Sequence, residues 1–258
     1  MSLQGKRALI TGGSKGLGFE AARELSIKGA KVAILARNAQ HLELAARTIN
    51  EESGSEVLYF SCDVSAASEI ETVYKKIESQ WGGVDILLNN AGSSSRGTVE
   101  TLTDEQWQAD FDLKLFSTLR LSRWVIPGMK ARRWGRILNV LNTLAKTPEA
   151  GSAPTSVTRA AGVALTKVMA NELAPHNVLV NALCIGRISS EQWKTFHKRN
   201  APDLTYEEYV RQQGAKIPLG RLGEPSEFSG LVALLASDAG GYITGTAINI
   251  DGGLCPTV

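Results

Sequence analysis

Histidine and cysteine are scarce in this 258-residue chain, three of each. The cysteines, Cys62, Cys184 and Cys255, lie far apart, without a CxxC pair or Cys/His ligand spacing. That excludes a zinc module and a disulfide framework, points to a reducing compartment, the cytoplasm, and leaves no metal site to expect. Long runs of one charge are missing too: 28 basic and 26 acidic residues are scattered to a net charge of +2. Without a basic stripe to follow a phosphate backbone, nucleic acid is not an expected partner. No apolar run approaches the roughly 20 residues that span a bilayer. The first one, Ala8-Leu9-Ile10, is too short for the core of a signal peptide. No membrane partner is therefore expected. Nor is there a Pro/Ser-rich linker or a shift in composition, so residues 1–258 are read as a single domain.

What is present is apolar material in short pieces. Hydrophobic residues make up 43% of the chain against 21% charged, enough for a substantial core. Short β-branched runs alternate with amphipathic stretches of helical period, the pattern of stacked βαβ units. Strands are predicted at 7–11, 31–36, 56–61, 84–89, 136–141, 178–183 and 247–250. Helices are predicted at 17–29, 38–53, 66–81, 104–131, 154–175 and 225–237, with Asp104 and Pro225 as start signals and Gly29 and Gly54 as stops. The connection from Cys184 to Ala247 exceeds one crossover helix. Its polar and aromatic part, about 186–220, reads as an inserted substrate lid.

The first strand runs into Thr11-Gly12-Gly13-Ser14-Lys15-Gly16-Leu17-Gly18 and then a helix. Gly12 permits a tight turn, Gly16 lets backbone N–H groups approach a pyrophosphate, and Gly18 lets the helix pack closely. Strand, glycines and helix together predict an α/β, doubly wound, Rossmann-type domain with a seven-stranded parallel sheet. The second strand ends Ala36-Arg37-Asn38, where an NAD site usually places a carboxylate on the ribose. Arg37, reinforced by Lys15 in the glycine loop, suits a 2′-phosphate instead, so the expected cofactor is NADP(H).

These glycines resemble the short-chain dehydrogenase/reductase family. So do Asp63-Val64 after the third strand, Asn89-Asn90-Ala91-Gly92 after the fourth and Gly252-Gly253 after the last. The likeness runs through Trp107, Pro127-Gly128-Met129, Gly135-Arg136-Ile137, Glu172-Leu173-Ala174-Pro175, Val180-Asn181-Ala182 and Pro218-Leu219-Gly220-Arg221. It implies that Asp63 and Val64 hold the adenine and that Asn90, Ala91 and Gly92 line the cofactor near its ribose. It further implies that Gly186 and Ser190 belong to the nicotinamide loop, in which Ile185 replaces the usual proline. A homo-oligomer is implied as well, a tetramer, with helices 104–131 and 154–175 and the segment Ile250-Asp251-Gly252-Gly253 at its interfaces.

The family's chemistry rests on an asparagine, a serine, a tyrosine and a lysine, and the flanking motifs put Lys114, Asn142, Thr155 and Arg159 in their places. None of the four is the usual residue. The tyrosines are Tyr59, Tyr74, Tyr206, Tyr209 and Tyr242, so none falls within 75–205. Threonine does not titrate as tyrosine does, and arginine serves as a fixed cation rather than a proton relay. Losing one general acid costs roughly 10²–10⁴ in rate. Lys114, Asn142 and the lid residues Trp193, His197, Tyr206 and Tyr209 are the groups that could substitute. His41 and His176 are expected away from the chemistry, and Asp110 and Asp112 are expected on other helix faces than Lys114. Two functional readings stand. One is an NADP(H)-dependent oxidoreductase of a small molecule with a non-standard active site. The other is a protein of the same fold that is catalytically inactive or non-redox: a regulatory module, a hetero-oligomer partner, or a lyase or isomerase.

Overall fold

The structure is a computed structural model and describes residues 1–257. Strands β1 (Arg7–Thr11), β2 (Lys31–Ala36), β3 (Val57–Ser61) and β4 (Ile86–Asn89) alternate with helices α1 (Gly16–Ile27), α2 (Ala39–Ser53) and α3 (Ala67–Trp81). A two-residue strand β5 (Arg96–Gly97) precedes α4 (Asp104–Phe111), a π-helical turn at Asp112–Phe116, and α5 (Ser117–Arg132). Then follow β6 (Gly135–Asn142), β7 (Ala153–Pro154), α6 (Thr155–Leu173), β8 (Val178–Ile185), α7 (Glu191–Asn200), α8 (Tyr206–Gly214), α9 (Pro225–Ala236) and β9 (Ala247–Ile250). Seven strands form one parallel sheet in the order β3-β2-β1-β4-β6-β8-β9, while β5 and β7 pair as a small antiparallel ribbon. The order reverses between β1 and β4, and in such sheets that crevice at the strands' carboxyl ends is where ligands bind.

Period-two alternation assigns each strand's residues to the two faces. Ala8 and Ile10 of β1, with Val32 and Ile34 of β2, enter a core shared with Ala21 and Leu25 of α1, Leu42 of α2 and Phe228 and Val232 of α9. Leu9, Ala33 and Leu35 point the other way, onto Ile70 and Ile77 of α3, Val125 and Met129 of α5, and Met169 of α6. Both faces are covered, which is why these strands read as continuous apolar runs. At the opposite end of the strands from the crevice, Asp85 accepts two bonds of 2.6 Å from the Arg7 guanidinium and one of 2.9 Å from Arg132. Burial pushes the Asp85 carboxyl up, but these cations outweigh it and hold the carboxyl below its ordinary value.

The seven sheet strands match the expected ones to within two residues at each end. The expected helix 104–131 is interrupted by the π-helical turn that carries Lys114, a feature that apolar periodicity does not reveal. The small ribbon was not foreseen either. It ties the segment after β4 to the start of α6. The segment 186–220 holds α7 and α8, joined by their own aromatic cluster.

Candidate functional site

Three strand ends build the glycine loop's surroundings. Gly12 turns at φ +66°, and a Cβ there would lie 2.9 Å from Asn90 Nδ2. A Cβ on Gly18 would lie 2.3 Å from the Gly12 carbonyl oxygen, and one on Gly13 would lie 2.6 Å from Ile34 Cγ2. The loop is therefore pressed onto β2 and β4, with no room for a side chain at Gly12, Gly13 or Gly18. Helix α1 begins at Gly16 with Lys15 at its cap and no side chain satisfying its first-turn N–H groups. Those donors of Gly16, Leu17 and Gly18 form an anion site. Ser14 is half-buried beside it, and Lys15 and Arg37 are exposed.

Asn90 crosses to this loop, donating from Nδ2 to the Thr11 carbonyl at 2.9 Å. The backbone N–H groups of Asn90 and Ala91 both donate to Thr11 Oγ1 at 2.9 Å. Thr11 thus fixes the two strand ends against each other. Its only signal in the sequence is its position as the last residue of β1. After β3, Asp63 Oδ1 accepts from the Ser65 N–H at 2.9 Å and Val64 is buried. Gly186 allows the β8 end to press onto β9: its N–H donates to the Ile250 carbonyl, and a Cβ would lie 2.5 Å from that of Asp251. Ser190 caps α7 without a side-chain bond.

Lys114, Thr155 and Arg159 gather beyond this cradle. The Lys114 side chain is fully buried and ion-paired with Asp110, and its Nζ donates to Thr155 Oγ1 at 2.7 Å. Asp110 in turn accepts from Thr158 Oγ1 at 2.7 Å. The Thr155 hydroxyl donates to the Ser95 carbonyl at 2.7 Å and accepts from the Ser95 N–H at 3.1 Å. One donor and two acceptor sites are all a hydroxyl has, so Thr155 is saturated within the protein. The expectation that Asp110 lies on another face than Lys114 is wrong. Residues four apart share a helix face, and the π-helical turn keeps the pair together. Asp112 does face elsewhere, accepting from Arg120 at 2.9 Å. Asp110, Thr158 and Ser95 were all missed, because their roles depend on contacts between α4, α6 and the segment after β4.

Arg159 lies between two strand ends. Its guanidinium donates to the Val140 carbonyl at 2.6 Å, and a Cβ on Gly92 would lie 2.6 Å from one of its terminal nitrogens. Its Nε is buried without a partner, as is Oδ1 of Asn142 at the end of β6. Burial lowers the guanidinium to about 10, against the opposing pull of Asp110, so it remains a cation at neutral pH. Burial also lowers Lys114 despite Asp110, with Arg159 adding to the effect. Two unpaired buried polar atoms call for a ligand or water. Together with the glycine cradle, they fit a dinucleotide whose ribose hydroxyls and carboxamide supply partners.

The aromatics of α7 and α8 are used in packing. Trp193 Nε1 donates to the Ile188 carbonyl at 2.7 Å, and its ring meets Phe196 edge-on at 5.7 Å. His197 lies 5.7 Å from Tyr206 and 5.4 Å from Tyr209, with Nε2 2.8 Å from the Leu204 carbonyl. His41 is exposed on α2, and His176 lies in the turn before β8. Among the described residues, no three His, Cys, Asp or Glu side chains converge as metal ligands, and no helix is long and apolar enough to cross a membrane.

Comparison with known proteins bears on this arrangement. The family model for short chain dehydrogenases matches residues 6–201. The chain belongs to the short-chain dehydrogenase family. It is 35% identical to the 3-oxoacyl-[acyl-carrier-protein] reductase of Vibrio cholerae, over 98% of this chain and 99% of that one. The L-sorbose reductase of Gluconobacter frateurii, solved with NADPH and L-sorbose, superposes with a TM-score of 0.94 at 32% identity, covering 100% and 99% of the two chains. An NADPH-bound short-chain oxidoreductase of Pseudomonas aeruginosa PAO1, described as containing an atypical catalytic center, superposes with a TM-score of 0.92 at 33% identity, covering 100% and 99%.

Proposed function

We propose that the chain is an NADP(H)-dependent oxidoreductase that reduces a carbonyl-bearing small molecule at a non-standard active site. One observation carries the reading: the tight glycine loop runs into the uncapped start of α1, while Lys114 and Thr155 are held in hydrogen bonds within the protein. The glycine loop and the start of α1 would hold the pyrophosphate, Arg37 and Lys15 the 2′-phosphate, Asp63 and Val64 the adenine, and Asn90 to Gly92 with Arg159 the nicotinamide ribose. Gly186 and Ser190 would face the carboxamide. The cofactor, when bound, supplies a hydride. The chain's own contribution is to orient the reactants, exclude water and set the local charge, where Lys114, Arg159 and Asp110 leave one positive charge in excess. Asn142 brings a second unpaired buried group to the end of β6. NADPH-bound neighbours and reductase relatives support the direction of reaction.

The segment 186–220 acts in this reading as the substrate lid of a single domain. The protein assembles as a homo-oligomer, a tetramer, through α4, α5, α6 and the C-terminal segment, and light scattering that returns a monomer at micromolar concentration overturns that assignment. Saturation of Thr155 favours a second reading, a cofactor-binding protein without turnover. Titration of tryptophan fluorescence should show NADPH binding at least about tenfold more tightly than NADH. Equal affinities overturn the cofactor assignment. Failure of every carbonyl acceptor to oxidise bound NADPH favours the second reading.

A further inference from the structure

We infer that the pocket is an oxyanion site of fixed cations without a transferable proton, and that its substrates are conjugated carbonyl acceptors, enones and their relatives, rather than isolated ketones. The inference narrows the proposed reduction and rests on it.

The groups closest to the usual acid position are engaged within the protein. The Thr155 hydroxyl has all its bonding capacity engaged by Ser95 and Lys114. The Lys114 ammonium is sealed from solvent between Asp110 and Thr155. The Cys184 thiol is fully buried and pushed up by that burial. Tyr206 meets His197 edge-on and Tyr209 lies tilted against it, both in the aromatic cluster of α7 and α8. What remains is charge: the Arg159 guanidinium, with an unpartnered buried Nε, and Lys114 beside it, against the single carboxylate of Asp110.

Such a site stabilises an anion without neutralising it. Hydride addition to an isolated ketone leaves an alkoxide about as basic as hydroxide, whose conjugate acid has a pKa near ~16. Addition at the β-carbon of an enone forms one C–H bond and breaks the C=C π bond. The electron pair then moves onto the carbonyl oxygen as an enolate, and solvent water later protonates the α-carbon. The enol oxygen resembles a phenol, with a pKa near ~10. If half of that roughly six-unit gap is felt in the transition state, conjugated acceptors gain about a thousandfold over their saturated counterparts.

A binding measurement tests the site without turnover. 4-Nitrophenol mimics the enolate, and its ionised form absorbs at longer wavelength. Titrated with the full-length protein saturated with NADP⁺, the bound phenol should ionise at a pH at least one unit lower than free phenol, and Arg159→Gln should remove most of that shift. Turnover then follows matched pairs, cyclohex-2-enone against cyclohexanone first, with NADPH deuterated at the transferring position. The enone should react about a thousandfold faster and carry deuterium at C3. A bound phenol that stays neutral overturns the inference, as do deuterium on the carbonyl carbon, comparable rates for cyclohexanone, or no reaction with any pair in protein that binds NADPH. Loss of cyclohexanone reduction in Thr155→Val would identify the Lys114–Thr155 pair as an acid and overturn it too. Failure of NADPH itself to bind strikes the proposed function instead.

Discussion

The two halves of the crevice are built on opposite principles. The half beside the glycine loop is made mostly of backbone: a loop without room for a side chain at Gly12, Gly13 or Gly18, N–H groups at the start of α1 without a side-chain cap, and exposed cations at Lys15 and Arg37. The half beside Thr155 is made of side chains that satisfy one another, Asp110 with Lys114 and Thr158, Lys114 with Thr155, and Thr155 with Ser95. The first half is open to a ligand and gains its partners on binding. In the second, the Asp110–Lys114–Thr155–Ser95 chain is already satisfied, and only Arg159 Nε and Asn142 Oδ1 are left without partners. A site can thus retain its cofactor while its chemistry changes, because different parts of the chain carry the two tasks.

The largest effect that separates the halves should come from Asp110→Ala. Removing the carboxylate leaves the buried Lys114 ammonium without its counter-charge and strips Thr158 of its acceptor, a loss of about 3–5 kcal/mol of stability by chemical denaturation. NADPH affinity of the protein that remains folded should change little, since no cofactor contact is lost. A drop in stability below about 1 kcal/mol would mean that the cluster relaxes or admits water, and that the second half is not closed.

Gly18→Ala reverses the pattern. Its Cβ would meet the Gly12 carbonyl at 2.3 Å, closer than any real contact. The loop must shift, and the N–H groups aimed at a pyrophosphate shift with it. NADPH affinity should fall by about a hundredfold or more, as expected for losing two charge-assisted hydrogen bonds of roughly 1.5 kcal/mol each. Circular dichroism should show the fold retained. Unchanged affinity in a folded variant would remove the loop from the cofactor site.

The same contrast explains what could be read in the amino-acid order. The first half needs particular residue types at successive positions, Gly12, Gly16 and Gly18 directly after a strand, and such local demands are visible in sequence. The doubly wound sheet was visible for a related reason: strands covered on both faces, such as β1 and β2, are short apolar runs between amphipathic helices. In the second half, motif counting located Lys114, Asn142, Thr155 and Arg159 but not what they touch. The pairing of Lys114 with Asp110 across the π-helical turn, and the engagement of Thr155 by Ser95, join segments up to 60 residues apart. Nothing in the local pattern around Asp110 distinguishes a buried counter-ion from a surface acid.

The smallest expected effect probes the open half at its rim, where Arg37 is exposed at the end of β2. A guanidinium there attracts the dianionic 2′-phosphate of NADPH and has nothing comparable to offer the ribose hydroxyl of NADH. Solvent screens the interaction, so its worth is about 1.4–2 kcal/mol, roughly tenfold to thirtyfold in affinity. Arg37→Asp replaces attraction with repulsion toward the phosphate and supplies an acceptor for the hydroxyls. Its NADPH-to-NADH preference should fall to about one or invert, with thermal stability unchanged because Arg37 is exposed. Raising the salt concentration should shrink the wild-type preference in the same direction, since an exposed pair is weakened within a Debye length of about 8–10 Å. A preference that survives both the substitution and high salt would place 2′-phosphate recognition on Lys15 and the start of α1.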